Sequence, residues 1–150
     1  MTSAILNTPS LAYGKFSGEK LLGLNVKDTV QLLHAIGRGF SFNTLERVRR
    51  ETGLPMNRLA ESIGISPRTL TRRKKEKKLT ASESDRLVSL ARLLTLAIEL
   101  FGGSSEKALR WFVTPSPALG NIPPIEMAGT ETGAREVENL IGRLEHGVFS

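Results

Sequence analysis

The sequence predicts an all-α protein, and three observations carry that reading. Apolar residues recur at spacings of three and four, as in Leu87, Leu90, Ala91, Leu94, Ala97, Ile98 and Phe101. Ser, Thr, Asp or Asn stand before most such stretches and glycine stands after them, as helix starts and stops require. No segment alternates apolar and polar residues convincingly enough to read as a strand, and there is no internal repeat.

Residues 1–24 open with Ser, Thr, Gly and Pro among scattered apolar residues and read as a flexible N-terminal arm. "NVKDTVQLLHAIGRG" reads as the first helix. Asn25 is placed to cap it, Val26, Val30, Leu33 and Ile36 share a face, and Gly37 and Gly39 end it. "SFNTLERVRRETG" is the second, capped by Ser41 or Asn43, with Phe42, Leu45 and Val48 on one face and Gly53 as its stop. "PMNRLAESIG" follows, with Pro55 where a first helical turn accepts it and Gly64 as breaker. Ser66 and Pro67 then open a basic helix, "RTLTRRKKEKK".

The longest helix spans 81–101, capped by Thr80 or Ser82, with Glu83 and Asp85 complementing its dipole and Gly102-Gly103 closing it. Leu93, Leu96 and Leu100 widen its apolar stripe beyond one face, so it is either central to a core or shared with another subunit. Beyond it, "SSEKALRWFV" is a short helix, and four of the seven prolines (Pro115, Pro117, Pro123 and Pro124) stiffen the loop that follows. Val137, Leu140, Ile141 and Leu144 mark a final helix that Gly147 terminates. The organisation is thus an arm (1–24), a helical domain (25–101) and a C-terminal module (102–150).

The charge is unevenly placed. The chain carries a formal net charge of +6, and Arg68 to Lys78 alone holds seven cations against one anion, which accounts for all of it. A sequence pI near 10.1 points to an anionic partner. The residues just before the basic stretch follow the grammar of a helix-turn-helix, in which two short helices cross steeply over a tight turn. Ala60 is the small residue at the crossing and Gly64 the turn, while Leu59, Ile63, Ile65 and Leu70 supply the surrounding apolar set. A later position that is often apolar in such motifs is Arg73 here.

On this reading the chain binds duplex DNA. Arg68, Thr69, Thr71, Arg72 and Lys75 project from the start of the second helix as base readers. Ser66 caps that helix and can donate to a phosphate, and Arg73, Lys74, Lys77 and Lys78 add sequence-blind attraction to the backbone. One helix-turn-helix covers one half-site, so a homodimer is expected, joined through the 81–101 helix or the N-terminal arm.

Other chemistry finds little support. There is no cysteine, hence no disulfide, thiolate metal site or cysteine nucleophile. The N-terminus lacks the charged start and apolar run of a signal peptide, and no stretch reaches the roughly 18 apolar residues of a membrane span. The expected place of action is the cytoplasm. The two histidines, His34 and His146, have no nucleophile or metal-ligand cluster beside them, so neither enzyme activity nor a metal or cofactor is expected. His146 reads as a helix-end group and Trp111, the one tryptophan, as a core anchor.

The order Trp111, "PSPALG" (115–120), "PIE" (124–126), Gly133 and "RLEHGV" (143–148) resembles the toxin-binding C-terminal domain of the Xre/MbcA/ParS antitoxin family. The resemblance covers roughly residues 25–150. It implies a Cro/Xre-like helix-turn-helix followed by a small helical toxin-binding domain, without catalytic activity. It further implies repression of the chain's own operon through duplex operator DNA, and a RES-domain toxin as partner, an NAD⁺-degrading enzyme whose active site is blocked within a hetero-oligomeric complex. The matching positions are Trp111, Pro115, Pro117, Ala118, Leu119, Gly120, Pro124, Arg143, Glu145, His146 and Gly147. Ser116 stands where the family commonly has Asn, and Asn121 where a second glycine is common. The alternative is a stand-alone helix-turn-helix regulator whose C-terminal module binds a ligand or only dimerises.

Overall fold

The computed structural model describes residues 18–147. Its helices are α1 (Glu19–Leu22), α2 (Thr29–Arg38), α3 (Phe42–Thr52), α4 (Met56–Ser62), α5 (Pro67–Glu76), α6 (Ala81–Leu100), α7 (Ser105–Phe112), α8 (Pro124–Met127) and α9 (Glu131–Glu145). A 3-10 turn over Pro117–Leu119 lies between α7 and α8. The architecture is all-α, as the sequence predicts; among the described residues only two isolated bridges, Ser41 with Lys78 and Ser116 with Ile122, pair extended backbone.

The breadth of the α6 apolar surface is explained by its place in the molecule. Leu87, Leu90, Ala91, Leu93, Leu94 and Ala97 are all buried, with Leu96, Ile98 and Leu100 packed partly against the same core. α1 and α2 pack on this helix, and so do α7 and α9 from the C-terminal part. Each fully buried leucine contributes roughly 1.5–3 kcal/mol of transfer free energy. One continuous cluster runs from Leu21 to Ile141, so the segments before and after residue 101 share a core. The apolar surface expected to serve as an interface between copies is largely consumed inside the protomer.

Several local expectations shift. Part of the expected arm is folded: α1 buries Leu21 and Leu22 against α3 and α6, while residues 1–17 lie outside the described residues. The first long helix begins at Thr29, capped by Asp28 and not by Asn25. Asp28 accepts from the Gln31 backbone N–H at 2.9 Å and the Gln31 side chain accepts from Lys27 N–H at 2.8 Å, which fixes the helix start there. Two of the four residues of its expected core face, Val30 and Leu33, are also turned outward, while Val26 and Ile36 pack partly on the core. Leu32, Ala35 and Ile36 are half-buried, whereas Val30 and Leu33 are 59% and 58% exposed. The helix carries two apolar stripes, and spacing alone does not choose between them.

Two of the alternative caps resolve to Ser41 and Thr80. The latter forms a full capping box with Glu83. α9 starts at Glu131 because Thr130 accepts from the Gly133 N–H. No single helix among the described residues is long and apolar enough to cross a membrane. α6 and α7 meet that test only as a pair bent by 119°.

Candidate functional site

α4 and α5 form the helix-turn-helix, and the residues at their junction are the ones its grammar requires. Leu59, Ala60, Ile63 and Ile65 are all at most 3% exposed, and Leu70 packs partly against them. The turn closes through Ile65 N–H to the Ala60 carbonyl at 2.9 Å. Gly64 has φ +78°, and a β-carbon there would also press on the Arg86 guanidinium at 3.1 Å. That guanidinium, reaching over from α6, donates to the Ile63 carbonyl at 2.9 Å and so caps α4.

Ser66 caps α5: its hydroxyl accepts from Thr69 N–H at 3.2 Å and donates to the Thr69 hydroxyl at 3.1 Å. Pro67 fills the first helical position, where no backbone donor is needed. Arg68, Thr71, Arg72, Lys74, Lys75, Lys77 and Lys78 are exposed, and Thr69 is half-buried. The Thr71 hydroxyl donates back to the Pro67 carbonyl. Beyond α5 the chain is pinned: Phe42 N–H donates to the Lys77 carbonyl and Leu79 N–H to the Phe40 carbonyl. The exposed cations therefore lie on α5 and on the pinned segment that follows it, with Glu76 the one acid among them.

Arg73 stands apart from the other cations. Its side chain is 13% exposed, and its guanidinium donates to both Glu83 carboxylate oxygens, at 2.7 and 2.9 Å. A further contact reaches Glu76 at 3.3 Å. Hydrogen bonding to Glu83 holds the Arg73 guanidinium above its usual pKa against the opposing effect of burial. Burial pushes the Glu83 carboxyl up, but bonds from Arg73 and Thr80 together with the Arg73 charge outweigh it, and the carboxyl stays below its usual range. The position expected to add backbone attraction is thus turned into the protein.

In the C-terminal part, the residues singled out by sequence divide into two groups. Leu119 and Pro124 are buried. Gly133 is buried too, and a β-carbon there would collide with the Met127 carbonyl, so α8 and α9 approach closely only because it is glycine. Gly120 and Asn121 follow one another in the left-handed region, at φ +68° and +65°. Asparagine tolerates that conformation better than other side chains, which accounts for its standing where glycine is common. These residues shape the domain.

The second group faces outward. Trp111 is half-buried, its ring centroid 6.2 Å from Phe101 and 6.3 Å from Phe112. It anchors on the core, as expected, but also lines a groove of about 490 Å³ with Phe101, Thr114, Pro115, Ser116 and Pro117. Lys107 and Arg110 stand at the same groove. Ala118 is exposed in the 3-10 turn. Arg143, Glu145, His146 and Gly147 are exposed at the end of α9, where His146 Nδ1 lies 2.7 Å from the Gly142 carbonyl, the contact of a helix-end group. The first three border a second depression with Leu96 and Glu138.

Sequence reasoning placed Glu83 at a helix start but missed its pairing with Arg73, 10 residues away, and missed Arg86, whose partner lies 23 residues away, together with Phe101, Lys107 and Arg110 at the groove. No local signal marks either pairing. The groove arises from the bend between α6 and α7, which the Gly102-Gly103 pair announces without giving its angle.

Two family models match this chain. Residues 31–92 match the antitoxin Xre-like helix-turn-helix domain, and residues 96–147 match the antitoxin Xre/MbcA/ParS C-terminal toxin-binding domain. Among curated proteins, Antitoxin Xre of Yersinia enterocolitica is 39% identical over 130 residues, which cover 86% of this chain and 88% of that protein. Antitoxin Xre of Photorhabdus laumondii is 34% identical over 116 residues, or 77% and 78% of the two chains. Antitoxin Xre of Pseudomonas putida is 33% identical over 84 residues, or 55% and 52%.

Proposed function

The chain belongs to the Xre family of antitoxins, with a DNA-binding helix-turn-helix and a toxin-binding domain, and on that premise we propose that it neutralises a RES-type toxin and represses its own operon. The observation that carries the reading is the separation of two exposed surfaces on one shared core. The cations of α5 lie within residues 31–92, and the Trp111 groove lies within residues 96–147.

At the DNA, Arg68, Thr69, Thr71, Arg72 and Lys75 read base edges. Ser66, Lys74, Lys77 and Lys78 engage the backbone. Arg73 is left out of this set because its guanidinium is spent on Glu83. At the toxin, the groove floored by Trp111 and rimmed by Pro115 and Pro117 receives an apolar segment, with Lys107 and Arg110 favouring acidic neighbours on the partner. Neutralisation is by occlusion and takes place in the cytoplasm. The chain acts as a homodimer within the toxin complex, through the exposed Val30 and Leu33 of α2. A stand-alone regulator loses ground as a reading because its C-terminal module matches a toxin-binding domain.

The test separates the two surfaces. Arg72→Ala combined with Lys75→Ala should abolish binding to the duplex upstream of the chain's own coding sequence. The same double variant should still rescue cells from a co-expressed RES-type toxin. A double variant that no longer neutralises would overturn the division of labour.

A further inference from the structure

We propose that Arg73 and Glu83 form a brace that sets the angle of the recognition helix, so that Arg73 is a positioning residue for operator reading and makes no phosphate contact. This rests on the reading of α5 as the DNA-binding helix. Arg73 lies about 140° around α5 from Arg68, at roughly 100° per residue, whereas Arg72 and Lys75 lie within about 40° of it. It therefore points away from the reading face, which agrees with its side chain being 13% exposed.

What it meets there is a group already fixed in place. Glu83 closes the capping box of α6: Thr80 N–H donates to Glu83 Oε1 at 2.9 Å, and Glu83 N–H donates to the Thr80 hydroxyl at 3.1 Å. The Arg73 fork then takes both carboxylate oxygens, at 2.7 and 2.9 Å. A bidentate pair fixes orientation as well as distance, because both planar groups must align. The C-terminal half of α5 is thereby held against the first turn of α6, the helix on which α1, α2, α7 and α9 pack. An apolar side chain at this position would only fill space. The ion pair adds a directional constraint next to the residues that must be aimed at base edges.

The brace and a phosphate contact predict opposite results for substitutions that preserve size. Glu83→Gln removes an anion from beside a DNA-binding helix, so electrostatics alone would tighten DNA binding. Loss of the brace weakens it. Arg73→Lys keeps the charge and would satisfy a phosphate, but it cannot form the fork.

The experiment titrates wild type, Glu83→Gln, Arg73→Lys and a Lys75→Ala control against two duplexes over a range of salt. One duplex is taken from immediately upstream of the chain's own coding sequence, the other is a scramble of it. The expected result is a loss of about tenfold or more in specific affinity for both brace variants, with the salt slope of wild type. Lys75→Ala should lower that slope by about one.

Equal or tighter binding by Glu83→Gln overturns the brace, as does wild-type affinity in Arg73→Lys. Circular dichroism melts identify a variant that fails to fold, in which case the other variant decides. A wild-type chain that does not prefer the upstream duplex would instead overturn the DNA reading itself, and the brace with it.

Discussion

Arg92 and Glu138 meet across α6 and α9, the two terminal guanidinium nitrogens each donating to one carboxylate oxygen at 2.7 Å. The pair joins the region of the helix-turn-helix to the C-terminal domain, where the two already share a core. The Arg92 hydrogen bonds hold the Glu138 carboxyl below its usual value of 4.5 against the effect of burial, with help from the Arg92 and Arg135 charges. A carboxyl whose folded pKa is depressed contributes stability above its unfolded pKa and loses it as pH falls through the folded value. Glu83 adds to the stability in the same sense. The chain should therefore lose this part of its stability as pH falls below the usual carboxyl range. Glu138→Gln should cost about 0.5–1 kcal/mol at neutral pH, since the pair is partly exposed, and show a flatter acid limb that converges on wild type. Thermal melts across that range check it, and parallel acid limbs would show that the pair contributes nothing.

Most of the fold was legible because helix periodicity and punctuation are local. The turn at Gly64, the cap at Ser66 and the buried stripe of α6 all follow from residues within one or two turns of each other. What escaped was non-local. Arg73 looks like one more cation in a basic run until Glu83, ten residues on, is folded against it. Val30 and Leu33 have the spacing of a core face, but Leu32, Ala35 and Ile36 have it as well, and the packing of α2 on α6 selects the second set. Leu21 and Leu22 sit in a four-residue helix, too short for periodicity to register. The C-terminal positions were identified by resemblance, which did not distinguish the close approach at Gly133 from the open groove at Trp111.

The groove makes a second expectation concrete. Pro115 is exposed at its rim and has no backbone N–H to lose, so Pro115→Asp places a carboxylate there with little cost to the fold. The toxin should then bind at least about tenfold more weakly, a loss of about 1.4 kcal/mol or more, while affinity for the upstream duplex stays at the wild-type level. Calorimetry with purified toxin measures the first and gel shift the second. Unchanged toxin affinity would move the contact to the surface at the end of α9, around Arg143, Glu145 and His146.

The last expectation concerns the second half-site. Val30 and Leu33 stand three residues apart on α2, which places both side chains on one face, and each is more than half exposed. Two such residues are costly to leave in water and favourable to bury against their own copies across a two-fold axis, the commonest symmetry of soluble oligomers. A dimer reads two half-sites by setting one α5 helix in each of two successive major grooves, roughly 34–36 Å apart along the duplex. Leu33→Asp puts a charge at the centre of that contact without touching the protomer's core. Sedimentation should find a dimer for wild type and a monomer for Leu33→Asp, with the melting temperature of the protomer little changed. Specific DNA affinity should fall as well, because each half-site must then be bound separately. A variant that remains dimeric would exclude α2 as the contact.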